Sequence, residues 1–272
     1  MIAAGGGMVS VISLAHRKMV RSAPLERAGA LCASQEKLFC AYGADIACLH
    51  RHTLCAQTSF AAGPGVSEIM LSQDGGRLYA LCADGSSVLM LHAASGSPLV
   101  LAPAGVNPRQ MTLDGGLLAI AGGESSDVIL LCAKTLRQSA ALSMPGPVYS
   151  VAMNQKRIYA LCMTPRLSSL LVTLGMGGDS SIVPLYGMPG RLLLLADALY
   201  AATYGWLYRI APDGETILRR SPAPGKAAWL AGDGCELLLL DDYSQTLFIT
   251  HDEGESWNCL STGVCKAALC DT

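Results

Sequence analysis

The sequence predicts an all-β fold, a seven-bladed β-propeller whose ring is closed by one C-terminal strand joined to three N-terminal strands. Three observations carry that expectation. A plan of four short apolar runs recurs about every 40 residues. The runs are bounded by Gly, Asp, Ser and Pro, as strands are. The two ends of the chain hold complementary fragments of the same plan.

The recurring units start at Lys37, Arg77, Leu117, Arg157, Ala198 and Glu236, with spacings of 40, 40, 40, 41 and 38 residues. In each, a run such as "RLYALCA" is followed by a small polar turn such as "ADGSS". A second run such as "SVLMLHA" and a third such as "SPLVLAP" complete the unit. A short strand precedes the whole: "VSEIMLS", "RQMTL", "VYSVAM", "GRLLLLA" or "KAAWLAG". Four short strands per unit is the pattern of a propeller blade. A helical solenoid would need apolar spacings of three and four. The expected blades are residues 26–64, 65–104, 105–145, 146–186, 187–224 and 225–263, within a single domain spanning 1–272.

The remaining pieces, 264–272 and 1–25, make the seventh blade. "VCKAALCDT" aligns with the first strand of a unit, "MIAAGGG" with the second, "MVSVISLAHR" with the third and "KMVRSAPL" with the fourth. Val264, Ala267 and Leu269 are the expected apolar positions of the first strand. Sharing a blade between the ends removes unpaired edges that would template aggregation.

Composition narrows the function classes. Of 272 residues, 51% are hydrophobic and 15% charged, which argues against disorder. A formal net charge of -2 with no basic stripe argues against nucleic acid as a partner. No run is suited to crossing a membrane; the most apolar one, "LLLLADALYAATYGWLY", carries Asp197. Met1 is followed by "IAAGGGMVSVISL", without a basic region or cleavage site, so no signal peptide is read and a cytoplasmic location is expected. The eleven cysteines form no CxxC pair, and Cys32, Cys82, Cys132 and Cys162 sit inside apolar runs. Such cysteines act as small buried hydrophobes and fit a reducing compartment.

"VSVISL", "DVILLCAKTL" and "DIACLHRHTL", with Thr135 and Thr53 at the turn position, resemble the repeat of the YVTN-type seven-bladed propellers. The resemblance covers nearly the whole chain and implies the fold. It transfers no catalytic residue, because such repeats serve many roles. "THDEGESW", Thr250 to Trp257, resembles the Asp box of sialidases and related propellers, S/T-x-D-x-G-x-S/T-W, and falls between the third and fourth strands of its unit. There Asp252 is expected to accept turn N–H groups, Gly254 to permit a positive φ, and Trp257 to pack on the blade. A stabilised turn is the preferred reading over glycosidase action, since one copy is present and no sialidase-like set of arginines with a Tyr/Glu pair accompanies it.

"CLHRHTLC" places His50 and His52 on one side of an extended segment, with Cys48 and Cys55 near. This supplies two ligands where a metal needs three or four, so an exposed turn is preferred and no metal is expected. His16, His92 and His251 occupy comparable third-strand ends. No GxSxG, Walker or HExxH motif is present, and no cofactor is expected.

In a four-stranded blade the loops between second and third strands share a face with the connections between blades. The residues opening the inner strands there, Glu68, Arg109, Tyr149, Arg191, Trp229 and Lys266, are the candidate ligand-binding set at the channel mouth. The loops add Asp45, Asp84, Glu124, Asp127, Arg166, Asp241, Asp242 and Tyr243. Mixed charge with aromatic groups suits a polar binding surface. The expected function is a non-catalytic binding or scaffold module for a protein or a small polar ligand, not for nucleic acid or membrane. The alternative is a propeller-type hydrolase, lactonase or lyase at the channel mouth. The lack of His in the inner-strand set favours the first.

Overall fold

Each apolar run finds its hydrogen-bonding neighbour in the run next to it, because a strand joined by a tight turn pairs antiparallel with its successor. The computed structural model describes residues 1–5, 7–14, 16, 18–232, 236–261, 263–264 and 266–268. Its regular elements are 28 short strands in seven four-stranded antiparallel sheets.

The chain divides into two compact units, Met1–Ala104 with Gly263–Thr272, and Gly105–Thr262. The first unit holds three sheets. One is built from β1 (Ile2–Gly5), β2 (Met8–Ser13), β3 (Lys18–Pro24) and β28 (Lys266–Ala268). The next contains β4 (Ala28–Ala33), β5 (Lys37–Tyr42), β6 (Asp45–His50) and β7 (Ala56–Ala61). The third contains β8 (Val66–Leu71), β9 (Arg77–Cys82), β10 (Ser87–His92) and β11 (Pro98–Pro103).

The second unit holds four sheets. They are β12 (Gln110–Asp114), β13 (Leu117–Ala121), β14 (Asp127–Cys132) and β15 (Gln138–Ser143); then β16 (Val148–Met153), β17 (Arg157–Met163), β18 (Ser169–Gly175) and β19 (Ser180–Leu185). The last two sheets are β20 (Pro189–Leu194), β21 (Leu199–Thr203), β22 (Trp206–Ile210) and β23 (Ile217–Pro222), and β24 (Ala227–Gly232), β25 (Leu237–Asp241), β26 (Leu247–Thr250) and β27 (Asn258–Ser261). These seven sheets are the blades of a seven-bladed β-propeller.

The sheet shared by the two ends forms as the sequence predicts. β28 pairs antiparallel with β1, in the register Ile2↔Ala268, Ala3↔Ala267 and Ala4↔Lys266. Val264 and Ala267 are buried. Leu269, the remaining apolar position expected there, lies outside the described residues.

Burial explains why the second strands read as continuous apolar runs. "LYAAT" of β21 is buried along its whole length, because neighbouring sheets cover both of its faces. Outermost strands such as β11, "PLVLAP", are mostly exposed. Within the first unit Phe39, Ile46, Leu78 and Leu91 belong to one core cluster. Within the second, Tyr159, Leu171, Leu199 and Tyr208 form another.

Candidate binding face

Arg109, Tyr149, Arg191 and Trp229 lie in the second unit; Glu68 and Lys266 lie in the first. A register shift interrupts β16 between Val148 and Ser150, β20 between Pro189 and Arg191, and β24 between Ala227 and Trp229. The same shift occurs in β8, between Val66 and Glu68. Such bulges re-aim side chains at the end of a sheet, here at the start of β8, β16, β20 and β24.

Neighbouring inner strands of the second unit are tied to each other by these residues. The Arg109 guanidinium stands over the Tyr149 ring at 5.3 Å, a cation–π distance. Arg191 Nε donates to the Ala228 carbonyl at 2.6 Å, beside Trp229. Beneath them runs a relay that sequence reasoning missed. The Ser150 hydroxyl donates to Gln110 Oε1 and accepts from the Leu192 N–H at 2.8 Å, while Val151 N–H donates to the same Gln110 oxygen at 3.1 Å. Three sheets are stitched together by two polar side chains.

Several loop carboxylates are engaged by neighbouring connections and strands. Glu124 accepts from Asn107 Nδ2 at 3.1 Å, and Asp127 from the Ser143 hydroxyl at 3.1 Å. Asp241 accepts from the N–H groups of Lys226 and Ser244 at 2.7 and 2.8 Å. Burial works to raise the Asp241 pKa, but these hydrogen bonds win and hold the carboxyl below its ordinary value. Asp242 pairs with Lys226 at 3.2 Å.

The most prominent feature of this face is an aromatic cluster. Tyr186, Tyr204 and Tyr243 are 68%, 51% and 66% exposed. Tyr204 and Tyr243 meet edge to face at 6.1 Å between centroids. The Arg220 guanidinium stands 4.3 Å from the Trp206 ring centroid and 5.5 Å from that of Tyr186. Lys226 Nζ lies 5.9 Å from the Tyr243 centroid. Of these residues only Tyr243 belongs to the set expected from sequence. The signal for the others was their placement: in a chain with 6% aromatic residues, "LYGM" and "TYGW" put tyrosines into exposed turns.

The cluster rests on an ordered backbone. The buried Tyr208 hydroxyl accepts from the Tyr186 N–H at 3.0 Å, and the Thr203 hydroxyl donates to the Tyr186 carbonyl at 2.6 Å. Tyr204 N–H donates to Met188 O, and Gly205 N–H to Gly225 O, both at 2.9 Å. Gly187 and Gly225 both have positive φ. A Cβ on Gly225 would strike the Asp241 carboxylate, so glycine permits the close approach.

Away from the exposed tyrosines, the turn Thr250 to Trp257 is closed by its own side chains. Asp252 accepts from the Thr250 hydroxyl at 2.5 Å, the Ser256 N–H at 2.9 Å and the Ser256 hydroxyl at 2.5 Å. Those bonds, led by the Ser256 hydroxyl, hold its carboxyl well below the usual range. Gly254 has φ +90° and donates its N–H to the Thr250 hydroxyl at 3.0 Å. Trp257 Nε1 donates to Pro222 O at 3.0 Å, in the neighbouring sheet. Glu253 reaches that sheet too, pairing with Arg209 at 3.4 Å and Arg219 at 3.5 Å. Every one of these bonds joins turn to turn or blade to blade.

The histidines close turns as well. Nδ1 of His50 accepts the Thr53 N–H at 3.2 Å, and Nδ1 of His92 the Ser95 N–H at 3.4 Å. His16 Nδ1 lies 3.0 Å from the Ser13 hydroxyl. Among the described residues no group of three or more His, Cys, Asp and Glu is placed to hold a metal.

Fold and face define a seven-bladed propeller carrying an exposed aromatic and cationic loop surface. No protein-family model and no curated protein sequence matches the chain. Solved structures do. Hydrazine synthase of Kuenenia stuttgartiensis matches with a TM-score of 0.78 at 12% identity, over 90% of this chain and 90% of that one. A protein of unknown function from Desulfotomaculum acetoxidans matches with a TM-score of 0.79 at 9% identity, over 97% and 98%. U3-55K matches with a TM-score of 0.74 at 13% identity, over 88% and 83%. At such identities the likeness shows the fold alone.

Proposed function

We propose that this propeller is a non-catalytic binding module that engages another protein through the loop face of its second unit. The observation that carries the reading is the set of exposed tyrosines, Tyr186, Tyr204 and Tyr243, grouped with Trp206 and Arg220 on a hydrogen-bonded backbone. Tyr, Trp and Arg dominate the energetics of protein interfaces. Tyrosine supplies contact area while freezing only two side-chain torsions. Arg109 and Tyr149, also on this face, would lie at its inner rim. The hydrolase, lactonase or lyase alternative has no specific observation in its favour.

The repeats are read as YVTN type, supported by Thr53 and Thr135, whose hydroxyls accept the N–H groups of Cys55 and Arg137 in matching turns. Thr250–Trp257 is read as an Asp box serving stability. The free thiols are consistent with a reducing, cytoplasmic setting.

The test compares wild type with the triple variant Tyr186→Ala, Tyr204→Ala, Tyr243→Ala as baits in source-cell extract. Wild type is expected to retain a defined protein that the equally folded variant loses. Equal retention by both baits would overturn the reading.

A further inference from the structure

The loop face over two adjacent sheets, β16–β19 and β20–β23, has an unbalanced charge. Its segments 145–147, 164–168, 186–188, 204–205 and 223–226 read "PGP", "TPRLS", "YGM", "YG" and "APGK", without a single Asp or Glu. Arg166 is exposed in the second of them. The Ser169 hydroxyl donates to the Gly187 carbonyl at 2.7 Å, so the turn carrying Arg166 stands beside the Tyr186 connection. Arg220, also exposed, stands over the Tyr186 ring.

The two faces of the β22–β23 pair divide the work. Tyr208 lies opposite Arg220 in register, and Arg209 opposite Arg219. Arg209 and Arg219 are neutralised by Glu253, with Asp197 adding to Arg209 and Glu255 to Arg219. Among the described residues no carboxylate pairs with Arg220 or Arg166. The nearby cation Lys226 already has Asp242. Arg220 therefore presents a guanidinium held by aromatic contacts, with its charge unmatched. A planar guanidinium recognises carboxylate bidentately, and stacking pre-organises it.

We propose that this face receives a glutamate- or aspartate-rich segment of the partner protein, with Arg220 as the anchoring residue and Arg166 as a second contact. The proposal rests on the binding-module reading and names the chemistry of its partner. The exposed Tyr186 ring, over which Arg220 stands, supplies apolar contact for the side-chain stems of the segment.

The experiment uses a fluorescein-labelled deca-glutamate peptide and the whole chain, read by fluorescence anisotropy. Saturable binding is expected, weakening as salt rises. Arg220→Gln should reduce affinity on the order of ten-fold and Arg166→Gln by less, consistent with charge-assisted contacts of different quality. Arg219→Gln, on the other sheet face, should leave affinity unchanged. Arg220→Lys should restore part of the loss, because charge returns without the fork. No saturable binding by wild type, equal binding of deca-lysine, or indifference to Arg220→Gln in a protein of unchanged melting temperature would overturn the proposal. Adding Arg220→Gln as a third bait separates it from the broader reading. Partner loss in the tyrosine variant but not in Arg220→Gln removes the acidic anchor alone, while indifference to both removes the docking face.

Discussion

Asp252 shows how much one side chain holds at the residue scale. A carboxyl whose folded pKa is depressed stabilises the fold above its unfolded pKa, about 4, and loses that contribution as pH falls through the folded value. Asp252 is of this kind, with hydrogen bonds from Ser256 and Thr250 as the cause. Asp252→Asn should therefore lower the melting temperature near neutral pH. The gap from wild type should narrow as pH drops below the ordinary carboxylate range. Thermal melts of both proteins across that range check it, and a gap independent of pH would show that the charge contributes nothing. Ser150 is the second residue to test. Its hydroxyl is buried and serves both Gln110 and the Leu192 N–H. Ser150→Ala leaves that N–H without its partner, which should cost about 1–3 kcal/mol in urea unfolding.

At the scale of elements, the turns decide how sheets nest. The turn between β10 and β11 contains Gly96, with φ +69°. A Cβ there would fall 2.2 Å from Cγ and Cδ1 of Phe60, a core side chain of β7. Leu54 and Leu136 hold similar positive φ at corresponding turns, so backbone conformation alone does not demand glycine. The close approach of Phe60 does. Gly96→Ala should destabilise the protein by roughly 2–4 kcal/mol, combining positive-φ strain with overpacking. Chemical denaturation measures it, and an effect below about 1 kcal/mol would mean that the Phe60 ring swings aside freely.

For the whole molecule, the shared sheet matters most. β28 pairs with β1 and packs against β4. Deleting residues 264–272 should leave the β1 edge bare and produce aggregated protein, because an open apolar edge templates association. Size-exclusion chromatography tests this; a soluble monomer with an unchanged melting temperature would contradict it. The cysteines give a second whole-molecule prediction. All eight described cysteines are free. Burial pushes the thiols of Cys40 and Cys162 up to about 12. Reductant should leave the melting temperature unchanged. A thiol reagent should label the exposed Cys55 and Cys259 in the native protein, and Cys40 and Cys162 only after unfolding.

Strand identity, blade order and the pairing of the two ends were legible in the sequence by itself, because each is written locally. "RLYALC" and "DVILLC" announce buried strands by composition, the turns between them by Gly, Asp and Ser, and the period by simple repetition. The Asp252 turn was equally readable, since the side chains that close it on Asp252, Thr250 and Ser256, lie within a few residues of it. The aromatic surface was not. Tyr186, Tyr204 and Tyr243 sit in three separate loops, and each alone is an ordinary exposed tyrosine. Gln110, Ser150 and Leu192 likewise come from three different strands. Only the packing of one sheet on the next brings such groups within reach, so tertiary structure decided which residues act together. The same packing separates Arg219, neutralised by Glu253, from Arg220, left to the aromatic rings, although the two are neighbours in the chain. Successive residues of a strand point to opposite faces: Arg219 meets Glu253 of the neighbouring sheet, Arg220 meets Trp206 of its own sheet and the Tyr186 connection.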